Sequence, residues 1–259
     1  MNKKNKNFIS FAHYLADVAR EIINESYKKK KEINEKKVKD KTEVFTQSDL
    51  KLEKKIKTLI NLNYPSHNIV GEETGEINKK SQYTWIIDPI DGTKAFISGI
   101  PVFSFLLSLN YNNKYLLGLA DFPVLKERYW NDEKNAFLND CKISTNHKKK
   151  ISSCIMACTD PNMFKNFEEI NNKILKNFKL IRWGTDALGY MKCAEGIIDV
   201  VIERDIKIWD VAAVSPIIEA AGGCISTWDG KPIGTNDTVC VSSNKQLQKQ
   251  LVKKLQNFI

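Results

Sequence analysis

The stretch Trp85-Ile86-Ile87-Asp88-Pro89-Ile90-Asp91-Gly92-Thr93 runs an apolar segment into a turn that carries two carboxylates and a hydroxyl. Asp88 and Asp91 stand three positions apart across a proline-fixed bend. That spacing can aim both carboxylates at one point while the Ile90 carbonyl faces the same way, and hard cations such as Mg²⁺ take oxygen ligands of this kind. An Asp-Gly pair by itself is more often an ordinary turn between strands. The argument for chemistry comes from other acids in similar positions. Asn68-Ile69-Val70-Gly71 reads as a short strand that breaks at glycine and delivers Glu72 and Glu73, 16 residues before Asp88. Asp210, after Trp209, opens a helix, where it complements the positive end of the dipole. Each acid follows an apolar strand or begins a helix, the places where chains meet at a sheet edge. If Glu72, Asp88, Asp91 and Asp210 converge, each pair about 4 Å apart repels by roughly 4 kcal/mol at an effective dielectric of about 20. Divalent metal resolves such a cluster.

The elements that must position these groups follow from periodicity. Phe8, Phe11, Ala12, Leu15, Ala19, Ile22 and Ile23 recur at helical spacing, predicting an amphipathic helix from Phe8 to Ser26. The lysine-rich, hydrophobe-poor segment from Lys28 to Lys41 reads as a solvated loop, with a basic loop near an anion site as the alternative. Thr46-Gln47-Ser48-Asp49 has capping-box spacing at the start of a second amphipathic helix, a role for Asp49 that needs no chemistry. Tyr83 to Ile87 is a buried strand, with Pro89 expected to end its ladder. Val102 to Leu109, Tyr115 to Ala120 and Glu127 to Trp130 form an antiparallel meander, with Asn112-Asn113 as the first hairpin turn. Beyond it come a strand (Ser153 to Ala157), a helix (Asn162 to Leu175), a strand (Lys179 to Arg182), a helix (Thr185 to Glu195, closed by Gly196) and a buried strand (Ile197 to Glu203). A helix from Asp210 to Ala221 stops at Gly222-Gly223, and two strands and a polar C-terminal helix follow. This mixture of strand runs and single helices predicts layered α+β architecture with mixed or antiparallel sheets, not a doubly wound fold.

At 259 residues, 42% hydrophobic and 27% charged, the chain is expected to form one globular domain, with an N-terminal half over about 1–145 and a C-terminal half over about 146–259. No apolar run approaches a membrane span, and the start, Met1-Asn2-Lys3-Lys4-Asn5-Lys6, lacks the apolar core of a signal peptide, so a cytoplasmic location is expected. The six cysteines are scattered with no CxxC pair, which favours reduced core residues over a zinc site or a disulfide framework. Net charge is +9, but only four of the 40 basic residues are arginines. Nucleic-acid faces use arginine heavily for its bidentate fork, so nucleic acid is not expected as a partner, and neither is a membrane.

Taken together, Gly71-Glu72-Glu73-Thr74, Asp88-Pro89-Ile90-Asp91-Gly92-Thr93 and Trp209-Asp210-Val211-Ala212-Ala213, followed by Glu219-Ala220-Ala221-Gly222-Gly223, resemble the motifs of the inositol monophosphatase family in the right order. Phe45-Thr46-Gln47-Ser48-Asp49 fits that family's upstream Thr-x-x-Asp element. The resemblance covers nearly the whole chain. It implies the layered αβαβα sandwich of the inositol monophosphatase and fructose-1,6-bisphosphatase type, and a Mg²⁺-dependent phosphomonoesterase using two or three ions. By position, it implies that Glu72, Asp88 and the Ile90 carbonyl hold one ion and that Asp88, Asp91 and Asp210 hold a second, with Glu73 supporting a weaker third. Thr93, hydrogen-bonded to Asp49, would orient the attacking water; the Gly92 and Thr93 amides would receive phosphate oxygens, and Asp210 would also face substrate. Family members are commonly dimers, so a homodimer is expected.

After the threonine the chain continues Lys94-Ala95-Phe96-Ile97-Ser98-Gly99, which is similar to the histidinol-phosphatase branch of the family. The stretch Arg182-Trp183-Gly184-Thr185-Asp186-Ala187-Leu188-Gly189-Tyr190 resembles it too. Arg182, Asp186 and Glu203 are therefore the candidate specificity residues: histidinol phosphate carries an ammonium and an imidazole, which an acid at the mouth favours over an uncharged polyol. Trp209-Asp210-Val211-Ala212-Ala213 is closer to the inositol-phosphatase form. The expected substrate is L-histidinol phosphate, in histidine biosynthesis. The alternatives are inositol 1-phosphate or a phosphoadenosine-phosphate nucleotide, and, from another class, a non-catalytic RNA-binding protein.

Overall fold

The computed structural model of the protein describes residues 3–29, 33–38, 41–148 and 150–259. Of the segments read above, Met1, Asn2 and the parts of the lysine-rich stretch at 30–32 and 39–40 lie outside the described residues.

The first half opens with α1 (Lys3–Tyr27), a hairpin of β1 (Ile33–Val38) and β2 (Lys41–Thr46), and α2 (Gln47–Asn63). Next come β3 (Asn68–Gly71), β4 (Gly75–Ile77), β5 (Tyr83–Asp91), the short α3 (Thr93–Ser98), β6 (Ser104–Tyr111), β7 (Lys114–Phe122), β8 (Glu127–Asn131), β9 (Ala136–Leu138) and β10 (Cys141–Ile143). β3 to β10 make one eight-stranded sheet in the order β10-β9-β8-β7-β6-β5-β3-β4, antiparallel except where β3 runs parallel to β5. Asn112 and Asn113 both adopt positive φ, as the tight turn between β6 and β7 requires.

The second half consists of β11 (Ile155–Cys158), α4 (Phe167–Lys173), β12 (Leu180–Trp183), α5 (Asp186–Ala194), β13 (Val200–Arg204), α6 (Ile208–Ala212), α7 (Val214–Ala220), β14 (Cys224–Ser226), β15 (Thr238–Ser242) and α8 (Lys245–Leu255). Its five strands form a mixed sheet in the order β12-β11-β13-β15-β14.

Strand alternation sorts the core into three layers. On β6, Phe105, Leu107 and Leu109 pack under α1 and α2 with Leu15, Ile23 and Ile56, whereas Leu106 faces the opposite way. Leu106 joins Phe122, Met191, Val211, Ile217, Val201 and Val241, so α5 and α7 are sandwiched between the two sheets. Val200, Ile202 and Cys240 point to the far side, against α4 and α8 through Ile170, Leu247 and Leu251. The result is helix, sheet, helix, sheet, helix, the αβαβα order. Each fully buried leucine or isoleucine contributes about 1.5–3 kcal/mol. α7 lies close enough to β7 that an added Cβ at Gly118 would collide with the Ala213 carbonyl, so glycine is required for this approach.

Four details differ from expectation. Part of the lysine-rich segment is paired as β1 and β2, because a hairpin is held through backbone bonds and needs few hydrophobes. The helix expected over Asn162 to Leu175 is reduced to α4 with 3-10 turns on either side, and the helix expected from Asp210 is split into α6 and α7. Cys141 is exposed on β10, while Cys154, Cys158, Cys193 and Cys240 are buried free thiols as expected. Among the described residues no helix is long and apolar enough to cross a membrane.

Candidate active site

β5 does not end at Pro89. Its register with β6 runs Asp88↔Leu106 and then Asp91↔Ser104, three residues against two, which is a bulge with one extra residue. Pro89 has no N–H for the ladder, so the slip falls where pairing is already interrupted. In a regular strand, residues three apart project to opposite faces. The extra residue returns Asp91 to the side of Asp88, so the bulge brings the two acids together.

The Glu72 N–H donates to the Ile87 carbonyl at 3.3 Å, which carries β3's acidic turn to the end of β5. Asp88 is buried, its Oδ1 has no hydrogen-bond partner, and its carboxyl hydrogen-bonds with Glu72. Burial, and then the charges of Glu72, Asp91 and Asp210, push its pKa well above the usual carboxylate range. Asp91 is pushed up by burial and by Asp186, Asp210 and Glu203, while the Ala187 N–H, 2.9 Å from its Oδ2, pulls the other way. Asp210 stands in the first turn of α6, where its Oδ2 accepts the Lys207 N–H at 2.7 Å. The four acids singled out by spacing thus do converge, at the ends of β3 and β5 and the start of α6.

Glu72, Asp91 and Asp210 open onto a cleft of about 510 Å³ lined from both halves of the chain, with Asp88 buried behind them. Among the described residues seven carboxylates line it, against one cation, Lys94. Gly92 and Thr93 lie on its wall. Gly92 has φ +77°, and any side chain there would crowd the Asp186 carboxylate, whose Cγ would lie 3.2 Å from an added Cβ. Asp186 is itself held at φ +45°, its N–H donating to Thr159 Oγ1 at 3.2 Å. Burial pushes its pKa up to about 6, offset in part by Lys94.

Several expected roles are not matched by contacts. Thr93 Oγ1 donates to the Ile90 carbonyl at 3.1 Å, not to Asp49. Asp49 instead closes the capping box of α2: its Oδ2 accepts from the Thr46 N–H at 2.9 Å and hydroxyl at 2.6 Å, and its Oδ1 is buried without a partner. Local capping groups lie within one helical turn of Asp49 and so win over the distant threonine. Arg182 is exposed on the edge strand β12 and does not line the cleft, because strand alternation turns it outward. Glu203 lines the cleft, but Oε1 already accepts the Thr159 N–H and hydroxyl at 2.6 and 2.7 Å, and Oε2 accepts the Tyr190 hydroxyl at 2.7 Å. It braces Thr159 beneath Asp186. The Glu73 amide is bound by Glu53, and Glu73 is not on the cleft wall.

Sequence reasoning missed Thr159 and Asp160 and gave Tyr190 no role, though all three line the cleft. Asp160 Oδ2 lies 4.0 Å from Lys94 across the mouth. The available signal was that Thr159-Asp160 follows apolar β11 much as Asp88 follows the apolar part of β5.

The donor set suits a hard cation. It is all oxygen, it concentrates negative charge, and it includes the orphaned buried Asp88 Oδ1. Among the described residues, no three acidic, histidine or cysteine side chains close on a single point at coordination distance. The carboxylates surround the space without themselves fixing an ion position.

Comparison with known proteins agrees in family and fold. The family model described as the inositol monophosphatase family matches residues 4–259. The bifunctional phosphatase IMPL2, chloroplastic, of Arabidopsis thaliana is 35% identical over 262 residues, covering 96% of this chain and 75% of its own. The histidinol-phosphatase of Chlorobaculum parvum is 29% identical over 217 residues, covering 82% of this chain and 83% of its own. A solved structure of an inositol monophosphatase from Zymomonas mobilis superposes with a TM-score of 0.85 at 26% identity, covering 98% of this chain and all of that one.

Proposed function

The chain belongs to the inositol monophosphatase family, a family of metal-dependent phosphatases, and from that premise we propose that it hydrolyses L-histidinol phosphate to L-histidinol and phosphate with Mg²⁺. Glu72, Asp88 and the Ile90 carbonyl would hold one ion, Asp88, Asp91 and Asp210 a second, and Glu73 would support a third. Bound there, Mg²⁺ neutralises phosphoryl charge and lowers the pKa of a bound water. The chain's own part is positioning. The Gly92 and Thr93 amides take phosphate oxygens. The Thr93 hydroxyl, with its proton committed to Ile90, keeps lone pairs able to accept a hydrogen bond from water.

The observation that carries the substrate choice is Asp186, set directly against Gly92 where phosphate would bind, with Asp160 on the same cleft wall. With a pKa near 6, Asp186 is ionised in neutral solution. An ammonium-bearing monoester gains an ion pair there, whereas a neutral polyol brings that acid no countercharge. Relatives bearing the histidinol-phosphatase and inositol monophosphatase names lie at similar identities, so the choice rests on the cleft. Inositol 1-phosphate is the second reading, favoured by the form of Trp209-Asp210-Val211-Ala212-Ala213.

Phosphate release from histidinol phosphate and inositol 1-phosphate, with and without Mg²⁺, tests both. A kcat/KM preference for histidinol phosphate above about tenfold, roughly 1.4 kcal/mol, is expected, and Asp186→Asn should erase most of it. Equal or reversed preference would discard histidinol phosphate, and no Mg²⁺-dependent release from either would discard the phosphatase reading.

A further inference from the structure

Glu53 is fully buried in the middle of α2, one turn beyond Asp49, and its carboxylate is spent on the loop that carries Glu72. Oε2 accepts the Glu73 N–H at 2.8 Å; Oε1 accepts the Thr74 N–H at 2.8 Å and the Thr74 hydroxyl at 2.5 Å. Lys57, the next residue along the same helix face, reaches Glu53 Oε1 at 2.9 Å, Thr74 Oγ1 at 2.7 Å and the Gly75 carbonyl at 2.6 Å. A side chain at Gly71 would drive its Cβ to 2.5 Å from Glu53 Cδ and 2.8 Å from Lys57 Cε. The glycine therefore lets the carboxylate pass under the turn.

A buried ion pair is weak support for stability, because desolvation offsets its attraction. What this one does is geometric. With Gly71 packed on the pair, the Glu73 and Thr74 amides captured by Glu53 of α2, and the Glu72 amide on Ile87 of β5, the peptides around Glu72 are fixed from the helix on one side and the strand on the other. We propose that Glu53, completed by Lys57, is a positioning residue that aims Glu72 at Asp88 and so sets the metal affinity of the cleft. The proposal rests on the reading of Glu72 as a metal ligand. Glu53 lies outside the cleft wall; it acts only through the Gly71–Thr74 turn.

The test is Mg²⁺ binding by titration calorimetry and the Mg²⁺-induced shift in melting temperature, for wild type, Glu53→Gln, Glu72→Gln and the double variant, with the steady-state Mg²⁺ dependence beside them. Groups that orient metal ligands are worth roughly 10–100-fold in affinity. Glu53→Gln should weaken Mg²⁺ binding at least about tenfold and raise half-saturating Mg²⁺ equally, while kcat at saturating Mg²⁺ stays within about threefold. In the double variant the loss should barely exceed that of Glu72→Gln, because the two residues act through one ligand. If Glu53→Gln does not fold, Gly71→Ala displaces the carboxylate without removing it and should give the same weakened binding. A folded Glu53→Gln or Gly71→Ala variant with wild-type Mg²⁺ affinity, or fully additive losses, would overturn the proposal while leaving the metal site standing. A wild-type protein that binds no Mg²⁺ would overturn the metal reading and this proposal with it.

Discussion

The Ala187 N–H donates to Asp91 Oδ2 at 2.9 Å, a bond that joins the start of α5 to the end of β5 across 96 residues of chain. α5 packs between the two sheets, so the second half of the chain reaches through it to orient an acid that belongs to the first. The neighbouring Asp186 amide is tied to Thr159, and Thr159 to the buried Glu203, which extends the connection into the core of the second sheet. Asp91 is thus held by a backbone donor and need not be held by a countercharge.

Asp91→Asn keeps an oxygen to accept from Ala187 and removes a carboxylate that burial already penalises. Without metal, its melting temperature should be no lower than that of wild type. Mg²⁺-dependent phosphate release should fall at least about a hundredfold, roughly 2.7 kcal/mol of transition-state stabilisation. Melting by circular dichroism in chelator, set beside turnover in Mg²⁺, separates the two effects. Near wild-type turnover would sink the assignment of the site.

Asp121 should matter for stability. It is fully buried on β7, faces Arg128 in register on β8, and accepts from Arg128 Nε at 2.6 Å and from Arg20 of α1 at 2.6 and 3.0 Å. Asp121→Ala leaves two guanidinium groups without their shared acceptor at the joint between α1 and the sheet. A loss of about 3–5 kcal/mol is expected. In a chain of this size that is a fall in melting temperature of roughly ten degrees. A change of one or two degrees would show that Asp17, bound to Arg128 at 2.7 Å, and solvent replace it.

The sequence carried the elements built on strong periodicity: α1, the Thr46 cap of α2, β3 and the start of β5 all fall where the hydrophobic pattern puts them. It also placed Glu72, Asp88, Asp91 and Asp210 at strand ends and a helix start that do meet. What it could not carry depends on partners remote in the chain. The bulge at Pro89 is a register relation with β6, and a single strand's pattern holds no register. Arg182 looked like a site residue by position, yet strand alternation turned it to solvent on an edge. Glu203 and Thr93 have the right chemistry, but nearer partners claim Glu203's oxygens and Thr93's proton. Glu53 carries no signal of its own in the sequence, because nothing local reveals that Gly71 leaves room for it.

Asp49 gives a pH dependence whose sign can be worked out. Burial pushes its pKa from 3.8 up to about 6, against the two bonds from Thr46 and with a smaller upward push from Glu73. The folded state therefore binds this proton more tightly than the unfolded chain does. Its contribution to stability is fully present below about pH 4 and is lost as pH rises through about 6. A shift of about two units corresponds to at most about 3 kcal/mol. Asp49→Asn cannot titrate, so metal-free melting temperature should fall less steeply between pH 4 and pH 7 in that variant than in wild type. Other buried acids, Asp186 among them, titrate in both proteins and cancel in the difference, and any loss of capping by asparagine is a constant offset. Melting curves at half-unit pH intervals in chelator measure the slope difference. Parallel curves for the two proteins would mean that Asp49 binds its proton no more tightly in the folded state than in the unfolded chain, the Thr46 bonds cancelling its burial.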